Sequence, residues 1–139
     1  MNAAAMRETI AVGAITGMRS MAGPALLARR HGGVLSGVLP LMAVGEMVLD
    51  KTSIVGDRTD AVPLAGRALM GALVGGYIAR QNRGHVLAGG IIGAATAIIA
   101  AHLAMRIRRR LPLSTAAGGA LEDAIVMGIG ALYATRPRR

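Results

Sequence analysis

The twenty residues from Val86 to Met105 form an apolar run whose only strongly polar side chain is His102, and the run stops at Arg106, Arg108, Arg109 and Arg110. A helix rising about 1.5 Å per residue needs about 20 such residues to cross the roughly 30 Å hydrocarbon core of a bilayer. The run therefore restricts the chain to a helical membrane protein or to a soluble helical protein with a very apolar core helix. Composition favours the membrane. Of 139 residues, 53% are hydrophobic, Phe and Trp are absent, and Tyr77 and Tyr133 are the only aromatic residues. The large side chains that usually fill a soluble core are thus missing. Twenty glycines suit the close backbone contact that packs helices where water supplies no driving force.

Three further runs resemble the first in length. Thr9–Ala28 carries Arg19 near its middle and Pro24 beyond it, Ala61–Ala79 carries Arg67, and Leu111–Ala134 carries Glu122 and Asp123. Val34–Asp50 is shorter, holds Pro40, Glu46 and Asp50, and reads as a tilted, broken or re-entrant segment. The expected fold class is all-α: one integral membrane domain over residues 1–139, polytopic, with four to five transmembrane helices and one of the first two interrupted. Met1–Arg7 is too short and too weakly basic for a signal-peptide leader, so the first helix is expected to remain. One substantial polar loop, Lys51–Asp60, separates the second and third runs.

The net charge of +9 comes almost entirely from arginines lying between apolar runs. With no aromatic platforms for bases, anionic lipid headgroups rather than nucleic acid are the expected counter-charge. Cysteine is absent, which removes disulfides, thiolate metal sites and a cysteine nucleophile. His31, His85 and His102 lack metal-ligand spacing, and the familiar P-loop, G-x-S-x-G and H-E-x-x-H signatures are missing. No metal or cofactor is identified. Five alternating crossings would put Arg29, Arg30, Arg80, Arg83, Arg136, Arg138 and Arg139 on one side, and Arg7, Lys51, Arg58, Arg106, Arg108, Arg109 and Arg110 on the other. That balance gives no orientation and fits either insertion both ways with antiparallel pairing, or a miscounted span.

Small residues recur four apart at Gly13/Gly17, Gly71/Gly75, Gly89/Gly93 and Ala116/Ala120/Ala124/Gly128. Each row makes a smooth helix face, used either within one subunit or for self-association. Five short helices enclose little volume, so a homo-oligomer is expected.

The chemistry lies in the intramembrane charges. Acids at this depth cost about 2.5–3.5 kcal/mol each on insertion scales, so Glu46, Asp50, Glu122 and Asp123 are candidate transport or cation-binding residues. Glu46 and Asp50 share a helix face; Glu122 and Asp123 are roughly 100° apart, leaving one free to face a cavity while the other meets a base. Arg19 and Arg67 are the natural charge-pairing partners, with Lys51 adjoining Asp50. Two arginines against four acids leave carboxylates over, which in a low dielectric hold a proton or bind a cation.

Three motifs, Gly13-x-x-x-Gly17-Met18-Arg19-Ser20 running to Pro24, Glu46-x-x-x-Asp50-Lys51, and Leu121-Glu122-Asp123-Ala124-Ile125-Val126-x-Gly128, resemble those of a family of small bacterial integral membrane proteins known as a domain of unknown function (DUF4126-like). The resemblance implies a helical protein of the bacterial inner (cytoplasmic) membrane and brings no activity with it. From the residues, the leading expectation is a small oligomeric channel or transporter for a cation or protons. The alternatives are an accessory subunit of a larger membrane complex, held by internal ion pairs, and a lipid-headgroup enzyme using Asp57, Arg58 and Asp60. An enzyme is the weaker expectation, since no catalytic residue is identified.

Overall fold

The computed structural model describes residues 1–31, 35–49, 61–112 and 114–134. Those residues form six helices and no strand: α1 (Ala3–Met18), α2 (Ala22–His31), α3 (Leu35–Leu49), α4 (Ala61–Gln81), α5 (Val86–Arg110) and α6 (Thr115–Ala134). The fold class is all-α. Asn2 opens α1, its side-chain oxygen accepting the Ala5 N–H at 2.8 Å, so the first helix starts six residues before the apolar run does.

The expected first span is the interrupted one. In a continuous helix Pro24 would remove a backbone hydrogen bond and crowd the carbonyl of Ser20. The chain instead leaves the helix at Arg19 (φ −141°, ψ 112°) and restarts at Ala22, so Pro24 falls in the first turn of α2, where an N–H has no intrahelical acceptor in any case. The break reverses the chain, and α1 and α2 close as an antiparallel hairpin. Residues equidistant from the turn meet: Val12 with Leu27 in one apolar cluster, Ile15 with Ala22 in another, and Glu8 with Arg30 in an ion pair. A Cβ on Gly23 would collide with the Thr16 hydroxyl, which donates to the Val12 carbonyl at 2.8 Å. The second expected segment is the single helix α3, which keeps Pro40 inside it; fifteen residues give it a length of only about 22 Å.

Helices α4 and α5 cross antiparallel along a glycine seam. Gly71 and Gly75 face Gly93 and Gly89, and a Cβ added at any of these would run into the backbone of the opposite helix. The same small face of α5 receives α1, with Gly13 against Gly93 and Thr96, and Gly17 against Ala97 and Ala100. Three of the four small-residue rows are therefore spent inside the subunit. Thr96, half-buried, donates to the carbonyl of Ile92 at 2.7 Å, so it satisfies its hydroxyl within its own helix. In α6, Ala120, Ala124 and Gly128 face outward, and a Cβ at Gly128 would meet open space.

The α4–α5 turn brings Gly84 against Met1, so the N-terminus, this turn and the end of α2 lie at one end of the bundle. Arg7 shares that end with Arg29, Arg30, Arg80 and Arg83, rather than facing them as alternating crossings required; the hairpin is the reason. Arg106, Arg108, Arg109 and Arg110 close α5 at the other end. The charge stays nearly balanced between the two ends among the described residues.

Two helices, α4 and α5, are long and apolar enough to cross a membrane. Only 33% and 22% of their most apolar stretches are buried, whereas the core helix of a water-soluble domain is mostly buried. Large apolar side chains stand outward along both, including Val62, Leu69 and Leu73 on α4 and Leu87, Ile91, Ile99 and Leu103 on α5.

Two predictions concern this frame. Gly93→Val should lower the unfolding midpoint in detergent, by the equivalent of about 1–3 kcal/mol, because both α1 and α4 must retreat from α5. Arg83 sits at φ 52°, at the left-handed position of a Schellman turn formed by Gly84 N–H to Ala79 C=O (2.8 Å) and Arg83 N–H to Arg80 C=O (3.1 Å). That conformation costs a non-glycine residue about 1–2 kcal/mol, so Arg83→Gly should raise the same midpoint.

Candidate functional site: a buried ion pair at the hairpin tip

The α1–α2 hairpin does not run the length of the bundle. Gly17 packs on Ala97 and Ala100, near the midpoint of α5, so the tip at Arg19–Met21 ends about halfway along that helix. Arg67, one turn before the Gly71 contact with Gly93 and Ala97, reaches a similar level from α4. Both arginines are buried, Arg19 completely and Arg67 to within 3%.

Helix α6 lies along the hairpin from its tip to its open end. Asp123 takes the Arg19 guanidinium, with Nε–Oδ1 at 2.8 Å and a terminal nitrogen at 2.5 Å from the same oxygen. Val126 then packs with Ile15 and Ala22, and Gly130 admits the side chain of Leu26. Near the end of α6, Tyr133 donates a hydrogen bond to Glu8, which is paired to Arg30 at 3.2 Å. The Arg30 guanidinium lies 5.0 Å from the Tyr133 ring centroid. The hairpin is thus joined to α6 by one charged contact at each end.

The two adjacent carboxylates divide as their angular separation requires. Asp123 turns to Arg19, while Glu122, also buried, borders an almost wholly apolar pocket of about 80 Å³ between α5, α6 and the end of α1. The walls are Ala104, Ile107 and Arg108 from α5 with Leu111 at its C-cap, and Gly118, Leu121, Glu122 and Ile125 from α6. Both sets have the i, i+3, i+4, i+7 spacing of a single helix face. Met18 closes the pocket towards the hairpin tip.

Of the other expected site residues, Glu46 lies on α3 with its side chain outside the described residues, and Asp50, Lys51, Asp57, Arg58 and Asp60 fall wholly outside them. His102 is exposed on α5. Among the described residues no three His, Asp or Glu side chains gather as a metal site. The Glu8–Arg30–Tyr133 cluster was missed by the sequence reading. Its signal was available: once the turn is placed at Arg19 and Ser20, Glu8 and Arg30 are eleven residues either side of Arg19.

No family model matches the chain, and comparison with curated proteins and with solved structures finds no match.

Chemically, the arrangement fixes one carboxylate by a charge-assisted, largely desolvated contact and buries the other beside an apolar pocket. Removing one partner of a buried pair leaves an uncompensated charge, typically worth about 3–5 kcal/mol, whereas replacing both with apolar residues is often neutral. Arg19→Ala should therefore sharply reduce folded yield by size-exclusion chromatography, while Arg19→Met combined with Asp123→Leu restores most of it. Equal yields for the single and double variants would show that the pair does not hold the fold.

Proposed function

We propose that this chain is a small oligomeric channel or transporter of the bacterial inner membrane, moving a cation or protons past Glu122. In this reading α3, α4, α5 and α6 cross the bilayer, and the α1–α2 hairpin enters from one side and returns. Irregular backbone at membrane depth is tolerated where protein or a cavity surrounds it, and the Arg19–Met21 turn lies at mid-bundle. The likeness of three motifs to the DUF4126-like family fits the same placement.

The observation that carries the proposal is the hairpin tip: a buried Arg19–Asp123 pair beside a second buried carboxylate that lines a pocket. Asp123 answers Arg19, and Glu122 is a second buried acid at the same level, bordering the pocket. Glu46, Asp50 and Asp123 remain the other candidate path residues, with Arg19, Arg67 and Lys51 as charge partners. The outward row Ala120, Ala124 and Gly128 on α6 is the proposed self-association face. The near-balance of charge between the two ends is compatible with antiparallel assembly.

In proteoliposomes, Glu122→Gln should abolish cation- or proton-driven flux while preserving yield and oligomeric state, since the substitution keeps size and removes only the charge. Unchanged flux would remove Glu122 from the path. A second reading, an accessory subunit of a larger membrane complex, is supported by the direct closure of Asp123 on Arg19. It expects no flux from the purified wild-type chain and a fixed larger partner on co-purification.

A further inference from the structure

Counted formally, the arginines at the two ends of the bundle nearly balance; counted by what already answers them, they do not. At the open end of the hairpin Arg7, Arg29, Arg80 and Arg83 are exposed, and none of these four guanidiniums has an ion pair or hydrogen bond among the described residues. Glu8, the one described acid at that end, is taken by Arg30 and Tyr133. At the other end Arg108 and Arg109 are engaged within the protein, Arg108 with its side chain across Gly118. The open end is also where the apolar surface stops. Gly76 meets Val86, the first residue of the Val86–Met105 run, so Tyr77 lies at the edge of the apolar belt and Arg80 about one turn beyond it. Tyr133 shares an apolar cluster with Ala5 and Ile78 and stacks against the Arg30 guanidinium, which sets Arg7 and Arg29 near the same level. These two tyrosines are the only aromatic residues of the chain, and both stand at this end. A ring with one polar edge is the side chain that settles at a membrane–water interface.

We infer that the open end of the hairpin lies in the headgroup layer of an anionic leaflet, where Arg7, Arg29, Arg80 and Arg83 bind the phosphates of anionic phospholipids, and that the C-terminal end of α5 contributes little to this binding. The four side chains issue from α1, α2, α4 and the turn after α4, so they meet several headgroups of one leaflet and not a single bound molecule. A guanidinium is permanently charged, and its paired N–H donors match a phosphate. A zwitterionic lipid offers the same phosphate with an ammonium that cancels it, so an excess of unanswered positive charge selects lipids of net negative charge. An acidic protein partner would satisfy the arginines but would not account for both tyrosines standing at the apolar edge. The inference rests on the membrane placement proposed above and not on ion conduction.

Native mass spectrometry of the full chain in detergent, titrated with phosphatidylglycerol or phosphatidylcholine, tests it. Wild type should retain phosphatidylglycerol preferentially. Arg7→Gln, Arg29→Gln, Arg80→Gln and Arg83→Gln should each lower the preference by up to about fivefold, and the four together should remove it. Arg106→Gln with Arg110→Gln, at the other end, should leave most of it intact. All these substitutions alter exposed side chains and keep an unbranched stem, and the single variants keep the test decisive if the fourfold variant fails to fold. Equal retention of the two lipids by wild type, or equal loss per arginine from the two ends, would overturn the inference, as would a chain that stays folded and monodisperse without detergent or lipid. Glu122→Gln should retain phosphatidylglycerol normally, so a failure of the conduction proposal leaves this result standing.

Discussion

A guanidinium in the interior of an apolar bundle must be answered, and the answer organises one half of this molecule. Arg19 is fully buried where α1 ends, and Asp123 meets it from a helix more than a hundred residues later in the chain. That contact closes the tip of the hairpin against α6 and sets the register in which Val126, Gly130 and Tyr133 follow. At the far end Glu8, Arg30 and Tyr133 repeat the device in a half-buried setting. Between the two charged contacts the packing is ordinary apolar contact, which by itself specifies register weakly.

The other half depends on the absence of side chains. Gly71, Gly75, Gly89 and Gly93 let α4 and α5 approach backbone to backbone, and Gly13 and Gly17 bring α1 onto the same face. Dispersion acts only over short distances, so removing Cβ atoms where helices cross multiplies the contacts available to the backbone. This is an economical way to pack a chain without Phe or Trp. It also leaves the larger residues, Leu, Ile and Val, free to point outward from α4 and α5, the opposite of a water-soluble arrangement.

Much of this was legible in the sequence. The apolar runs located α4, α5 and α6 closely, because their ends are marked by polar turns and arginines; an interruption was expected in the first or second run, but the reversal that separates α1 from α2 at Arg19 was not. The rows of small residues identified the crossing faces, but spacing alone could not tell an internal seam from an outward one. Gly71 and Ala120 look alike until their neighbours are known. Similarly, charge arithmetic named Arg19 as a partner for an acid, yet which acid depended on the hairpin reversing halfway along α5, a long-range property. Arg7 was assigned to the wrong end for the same reason: one unrecognised reversal moves every earlier charge across the bundle.

The distribution of contacts around α6 bears on how such a site could work. This helix is held to the hairpin along one face, but opposite α5 it leaves a groove. Moving α6 towards α5 would bring Leu121 and Ile125 onto Ile107 and Leu111 without requiring the Arg19–Asp123 pair to break, since Asp123 lies on a different face from Glu122. The paired acid would serve as the pivot and Glu122 as the group whose surroundings change.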